Sequence, residues 1–158
     1  MLVADVMSHE VHTCHGHSML NEAARKMWDN DCGCLLVLNA EERPVAMLTD
    51  RDICMAAETQ GHPIWTIPVS IAASRHFHTV SDRDSLEVAE ATMRKHRVRR
   101  VPVLNDAGKP VGILSMNDLI RHAAAKRFRD KSLSPETIVD TLAAISAPRA
   151  QVTAMAAE

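Results

Sequence analysis

Hydrophobic and polar positions along the chain change period in a fixed order, and they do so twice. Val11 to Cys14 reads as a short strand. Ser18 is placed to cap a helix in which Leu20, Ala23, Ala24 and Met27 form one apolar stripe. Cys34 to Leu38 and Val45 to Leu48 then flank the polar turn Asn39 to Arg43, which predicts a β-hairpin, and Thr49 opens a second helix. The same succession follows from Phe77 to Val80, through a helix from about Asp84 bearing Leu86, Ala89 and Met93. Strands near Val101 to Leu104 and Val111 to Leu114 complete it, around the turn Asn105-Asp106-Ala107-Gly108.

The likeness extends to residue identity. Val37-Leu38-Asn39 recurs as Val103-Leu104-Asn105 and Pro44-Val45 as Pro110-Val111, a displacement of 66 residues (37 to 103, 44 to 110). In the same register Ser8 falls on Ser74, His12-Thr13 on His78-Thr79, Leu48 on Leu114 and Asp52 on Asp118. Two gap-free copies, 3–57 and 69–123, predict a mixed α/β (α+β) fold of two pseudo-symmetric β-α-β-β-α units. Each copy is too small to be very stable alone, so packing of sheets or helix faces about a pseudo-twofold axis is expected, with a ligand cleft between the halves.

The chain accordingly divides into a first repeat (1–60), a linker (61–68), a second repeat (69–128) and a C-terminal helix with a loose tail (129–158). Ser134-Pro135-Glu136 sets an N-cap and first-turn proline for that helix, which carries Ile138, Leu142 and Ile145 on one side to about Ile145. The tail from Ala147 on has little pattern.

Composition narrows the function classes. With no Tyr, two Phe and two Trp, the core must be aliphatic, and stacking platforms for single-stranded nucleic acid are nearly absent. A net charge of −2 argues against broad attraction to nucleic acid or an anionic membrane. The N-terminal residues lack the charged leader and apolar stretch of a signal peptide, and no apolar run approaches the roughly 18 residues of a membrane span, so a cytoplasmic protein is expected. Cys14, Cys32, Cys34 and Cys54 form no C-x-x-C pair and read as small buried hydrophobes.

The sharpest local motif is Thr/Ser-x-x-Asp at the strand-to-helix junction, Thr49 to Asp52 and again Ser115 to Asp118. A hydroxyl beside the free N–H groups of a helix start favours phosphate, and an Asp one turn on can accept both hydroxyls of a ribose. The same four residues also make a capping box that needs no ligand. Together with the duplication, the Val-Pro-Val-Leu-Asn strand (101–105) and the Gly-Ile-Leu-Ser run (112–115), the motif resembles the cystathionine-β-synthase (CBS) domain. Two copies in tandem resemble the CBS pair called a Bateman module, over about residues 3–123.

That resemblance implies adenosine-containing ligands in clefts between the repeats. It places Thr13, Thr49 and Asp52 around one cleft, and Thr79, Ser115 and Asp118 around the other. It also implies a homodimer, with the apolar face of the C-terminal helix as one surface for it. Where the family has Gly and Pro, copy one has Ala46 and Leu36, and Ala73 stands where copy one has Met7. The basic run Lys95 to Arg100 suits a polyphosphate through Arg99 or Arg100, as Arg51 does at the first cleft, and equally suits a helix C-terminus.

A second constellation stands outside that pattern. His9, His12, Cys14, His15 and His17 crowd nine residues and supply the soft donors zinc takes, although the spacing matches no standard finger. No nucleophile elbow, zinc-protease helix or phosphate-binding glycine loop occurs, so catalysis is not expected. The leading expectation is a regulatory module that binds an adenine nucleotide of the AMP, ADP or ATP kind and signals in trans to an effector protein. The alternative is a zinc- or redox-responsive protein using the His/Cys segment.

Overall fold

The computed structural model describes residues 1–125 and 134–147; the expected tail beyond Ala147 lies outside them. After a 3-10 turn at Val3–Asp5, copy one runs β1 (Thr13–His15), α1 (Leu20–Asp29), β2 (Cys34–Leu38), β3 (Pro44–Thr49) and α2 (Asp50–Gln60). Copy two opens with the one-turn helix α3 (Val69–Ala72). It continues with β4 (Val80–Ser81), α4 (Leu86–His96), β5 (Arg100–Leu104), β6 (Pro110–Ser115) and α5 (Met116–Ala125), and α6 (Pro135–Ser146) follows. Each copy builds its own three-stranded sheet, first strand parallel to the second and second antiparallel to the third. The mixed α/β duplication and the C-terminal helix are as expected; the short helical turn that begins each copy was not.

The hairpin turns follow from one side chain each. Asn39 Oδ1 accepts the Glu41 and Arg43 amides, and Asn105 Oδ1 accepts those of Ala107 and Lys109. Element starts differ from expectation for a shared reason. β1 begins at Thr13, not Val11, and β4 at Val80, not Phe77, because pairing starts only where Thr13 meets Leu36 and Val80 meets Val103. Ser18 does not cap α1. Its carbonyl accepts the Val69 amide at 2.8 Å, and Met19 takes the N-cap position with Glu22 accepting its amide. The counterpart Asp84 likewise gives its carbonyl to the Val3 amide at 2.8 Å, and α4 starts at Leu86.

These contacts show how the halves are joined. Isolated antiparallel bridges link Leu2 to Ser85 and Ser8 to Ile113, and their partners at the 66-residue offset link Pro68 to Met19 and Ser74 to Met47. Val3 and Met7 are buried in the core of copy two, among Leu86, Met93 and Leu114. Ile67 and Val69 are buried in the core of copy one, among Leu20, Met27 and Leu48. The two copies therefore exchange N-terminal segments, each contributing buried residues to the core of the other.

The exchange is asymmetric in size. At Gly112 a Cβ would meet Met7 Sδ at 2.4 Å and the Ser8 carbonyl oxygen at 3.0 Å, so the long side chain of Met7 requires glycine there. In the other half, Ala46 replaces the glycine and Ala73 replaces the methionine, and both belong to the copy-one core. The two departures noted in the sequence thus compensate each other.

The helix α6 starts as predicted, Ser134 Oγ accepting the Thr137 amide at 3.2 Å. Its apolar side does not face outward for a second chain: Ile138 is buried, and Leu142 and Ile145 pack on the copy-two core. Beneath it lies Glu90, 2% exposed, where copy one has Ala24, and burial holds its carboxyl above the usual range. Cys34 is buried as expected, but Cys54 is exposed.

Gly112→Ala is expected to destabilise the protein by about 1–3 kcal/mol through overpacking. Adding Met7→Ala should recover part of that loss, so the two changes are non-additive in urea unfolding; strict additivity would refute the size pairing.

Candidate functional site

The segment exchange carries residues of copy one onto the strand-to-helix junction of copy two. The result is a cleft of about 680 Å³ walled by Ser8, Glu10, His12 and the loop Asp31 to Cys34 from one copy. Arg100, Ile113, Ser115, Asn117, Asp118, Ile120 and Arg121 supply the other wall. At its base β6 passes directly into α5. Asp118 Oδ2 accepts the Ser115 hydroxyl and, at 2.8 Å, the Ser115 amide, closing the capping box. Asp118 Oδ1 accepts the Ser8 hydroxyl at 3.0 Å and pairs with Arg121, so a carboxylate only 5% exposed is well supplied with donors.

Arg100 crosses from the start of β5 to the copy-one loop. Its guanidinium would lie 3.3 Å from a Cβ at Gly33, and Asp50 Oδ2 would lie equally close, so both side chains approach the loop backbone tightly there. Among the described residues no side-chain hydrogen bond or ion pair engages this guanidinium, which leaves a half-buried cation facing the cleft.

The equivalent junction of copy one has the same core geometry. Thr49 caps α2, its hydroxyl donating to Asp52 Oδ2 at 2.7 Å and its amide to the same oxygen at 2.9 Å. Arg51 is exposed on the first turn of α2, and Arg99 is exposed next to Arg100.

Four of the residues singled out in the sequence, His12, Arg100, Ser115 and Asp118, share the cleft. Thr79 is exposed just before β4 and does not line it; Ser8 and His12 of the other copy stand there instead. Thr13 lines a separate pocket of about 180 Å³ with Ser18, Glu22 and Lys26, its carbonyl accepting Lys26 Nζ at 2.7 Å. Ser8 was legible only as the repeat partner of Ser74, and Arg121 only as a cation one turn beyond Asp118.

The His/Cys segment is dispersed. His9 and His17 are exposed, and His15 stacks on His17 with ring centroids 5.5 Å apart. His12 turns to the cleft near Glu10. Cys14 packs against the copy-one core, and burial pushes its thiol up to about 11, partly offset by Lys26. Among the described residues no three His, Cys, Asp or Glu side chains are gathered to hold a metal. As placed, this donor set does not fit zinc, which needs converging ligands and any cysteine among them as the thiolate.

A family model for the CBS domain matches residues 3–58 and again 69–125. The chain belongs to the CBS-domain family. Hypoxic response protein 1 of Mycobacterium tuberculosis is 33% identical over 147 residues, covering 92% of this chain and 94% of its own. The crystal structure of Hypoxic Response Protein I with two coordinated zinc ions aligns with a TM-score of 0.69 and 31% identity, over 77% of this chain and 98% of that one. The CBS pair of protein MJ0100, in complex with 5-methylthioadenosine and S-adenosyl-L-methionine, aligns over 80% of this chain and 98% of its own. There the TM-score is 0.72 and the identity 23%. The cleft of this CBS pair is thus a junction of two family repeats, and no described helix is long and apolar enough to cross a membrane.

In native protein at pH 8, an alkylating reagent should label exposed Cys54 quickly and Cys14 only on unfolding, read by mass spectrometry. The raised Cys14 pKa stabilises the fold below the ordinary value of 9.0, and that contribution is lost as pH rises from there towards about 11. Cys14→Ala should flatten that part of the stability profile.

Proposed function

We propose that this CBS pair is a non-catalytic regulatory module binding an adenosine-containing ligand of the AMP, ADP or ATP kind in the cleft around Ser115 and Asp118. It would work in the cytoplasm as a homodimer and pass its state in trans to an effector protein. The observation that carries this reading is the cleft itself: both repeats wall it, a Ser-x-x-Asp junction lies at its base, and the Arg100 guanidinium faces it. Ser115 and the start of α5 suit a phosphate, Asp118 suits ribose hydroxyls, and Arg100 supplies the fixed planar cation that a phosphate favours. The adenosine compounds held by the MJ0100 pair support the ligand class. By the same carry-over Thr49 and Asp52, with Arg51 near, would serve a second ligand, and Thr13 and Thr79 would support the two sites from outside the described cleft. A ligand can shift the packing of the repeats only by its differential affinity for two arrangements, so the loop Asp31 to Cys34 and the residues around Ser8 are where a response would begin.

The second reading, a zinc-responsive protein, is favoured by the zinc ions in the Hypoxic Response Protein I structure. The dispersal of His9, His12, Cys14, His15 and His17 stands against it.

Thermal unfolding of metal-stripped protein with AMP, ADP, ATP, S-adenosylmethionine, NAD or zinc separates these readings. One adenosine compound should stabilise the fold by about 2.7 kcal/mol at a hundredfold excess over Kd. That gain should be lost in Asp118→Asn combined with Asp52→Asn. A response to zinc alone would overturn the nucleotide reading.

A further inference from the structure

The two motif carboxylates are chemically identical and yet are held differently. Asp118 uses both oxygens, Oδ2 for Ser115 and Oδ1 for the Ser8 hydroxyl and Arg121. At Asp52, among the described residues, hydrogen bonds reach Oδ2 alone. The difference is written in the sequence. At the 66-residue offset the counterpart of Arg121 is Met55, which has no donor. The counterpart of Ser8 is Ser74, whose hydroxyl donates to the His76 carbonyl at 3.2 Å instead.

Ser8 cannot drift from its place. Its amide donates to the Ile113 carbonyl at 3.0 Å and its carbonyl accepts the Ile113 amide at 2.9 Å, so the backbone of copy one is pinned to β6 beside Asp118. A hydroxyl held this way competes at high effective concentration with any hydroxyl arriving from solution.

We infer that Ser8, seconded by Arg121, is a built-in competitor that occupies the ligand's place on Asp118, so that the two ligand positions of this CBS pair are inequivalent. This rests on the reading of Asp118 as a ribose acceptor. Ligand reaching Asp118 must displace the Ser8 hydroxyl, and its apparent affinity is lowered by the fraction of molecules in which Ser8 is bound. Ligand reaching Asp52 meets a free carboxylate oxygen and displaces nothing. Occupancy of Asp118 is therefore felt first by the copy-one segment around Ser8, on the opposite repeat from the motif that binds.

The test is calorimetric titration with AMP of the intact protein, Ser8→Ala and the control Ser74→Ala, joined to amide hydrogen exchange. Ser8→Ala keeps both backbone bonds to Ile113 and should tighten the weaker of two AMP sites about ten- to a hundredfold, the loss of one competing hydrogen bond to a charged group. Ser74→Ala should change neither site. AMP added to the unaltered protein should speed exchange of the Ser8 amide. Unchanged or weaker AMP binding in Ser8→Ala would overturn the inference, since Ser8 would then be a bystander or a ligand contact. If AMP binds none of the three proteins, the nucleotide reading fails. Exchange without ligand then decides the competitor: with the backbone bonds to Ile113 kept, Ser8→Ala should speed exchange of the Ser115 amide, which donates to Asp118 Oδ2, and an unchanged rate there would sink it.

Discussion

A repeat of about 55 residues buries too small a fraction of its surface to hold a sheet and two helices alone. Here the shortfall is met by trading segments. Val3 is fully buried in the core of copy two and Val69 in that of copy one, each at the end of a backbone bridge to the opposite repeat. Most other features follow from this trade. It moves the helix starts off Ser18 and Asp84, whose carbonyls are taken by the arriving amides. It also builds the cleft from residues far apart in sequence, because the segment that delivers Val3 to a core continues to Ser8 at Asp118.

The site inherits its character from that route. A capping box is ordinary at a helix start, and alone it says nothing of a ligand. What distinguishes the copy-two junction is the company brought to it: the Arg100 guanidinium from β5, the loop around Gly33 that it approaches, and polar groups from the other repeat. Local motif and global topology are both needed to make the copy-two cleft.

The sequence made the duplication legible because repeat register, helical stripes and Asn-led turns are local signals. Leu20, Leu86, Met27 and Met93 are buried where their spacing put them. Thr49, Asp52, Ser115 and Asp118 sit in the geometry their spacing implies. The exchange was not legible. Val3 and Val69 lie in runs too short to show a period, and nothing local says that a valine belongs to the other repeat's core. For the same reason Thr79 was grouped with Asp118 when Ser8 and His12 belonged there. The clustering of His and Cys in sequence is not a clustering in space: Cys14 packs on the copy-one core, His12 turns to the cleft, and His9 and His17 are exposed.

The fit of Met7 against Gly112 also bears on ancestry. A duplicated unit begins as one that pairs with an identical copy of itself. Copy one could no longer do so, because its Met7 would meet Ala46 where it now meets glycine. Copy two could do so only with a hole, because Ala73 would stand before Gly112. Either self-pairing is thus disfavoured by one fit of side chain to backbone, which commits each half to the other as its partner.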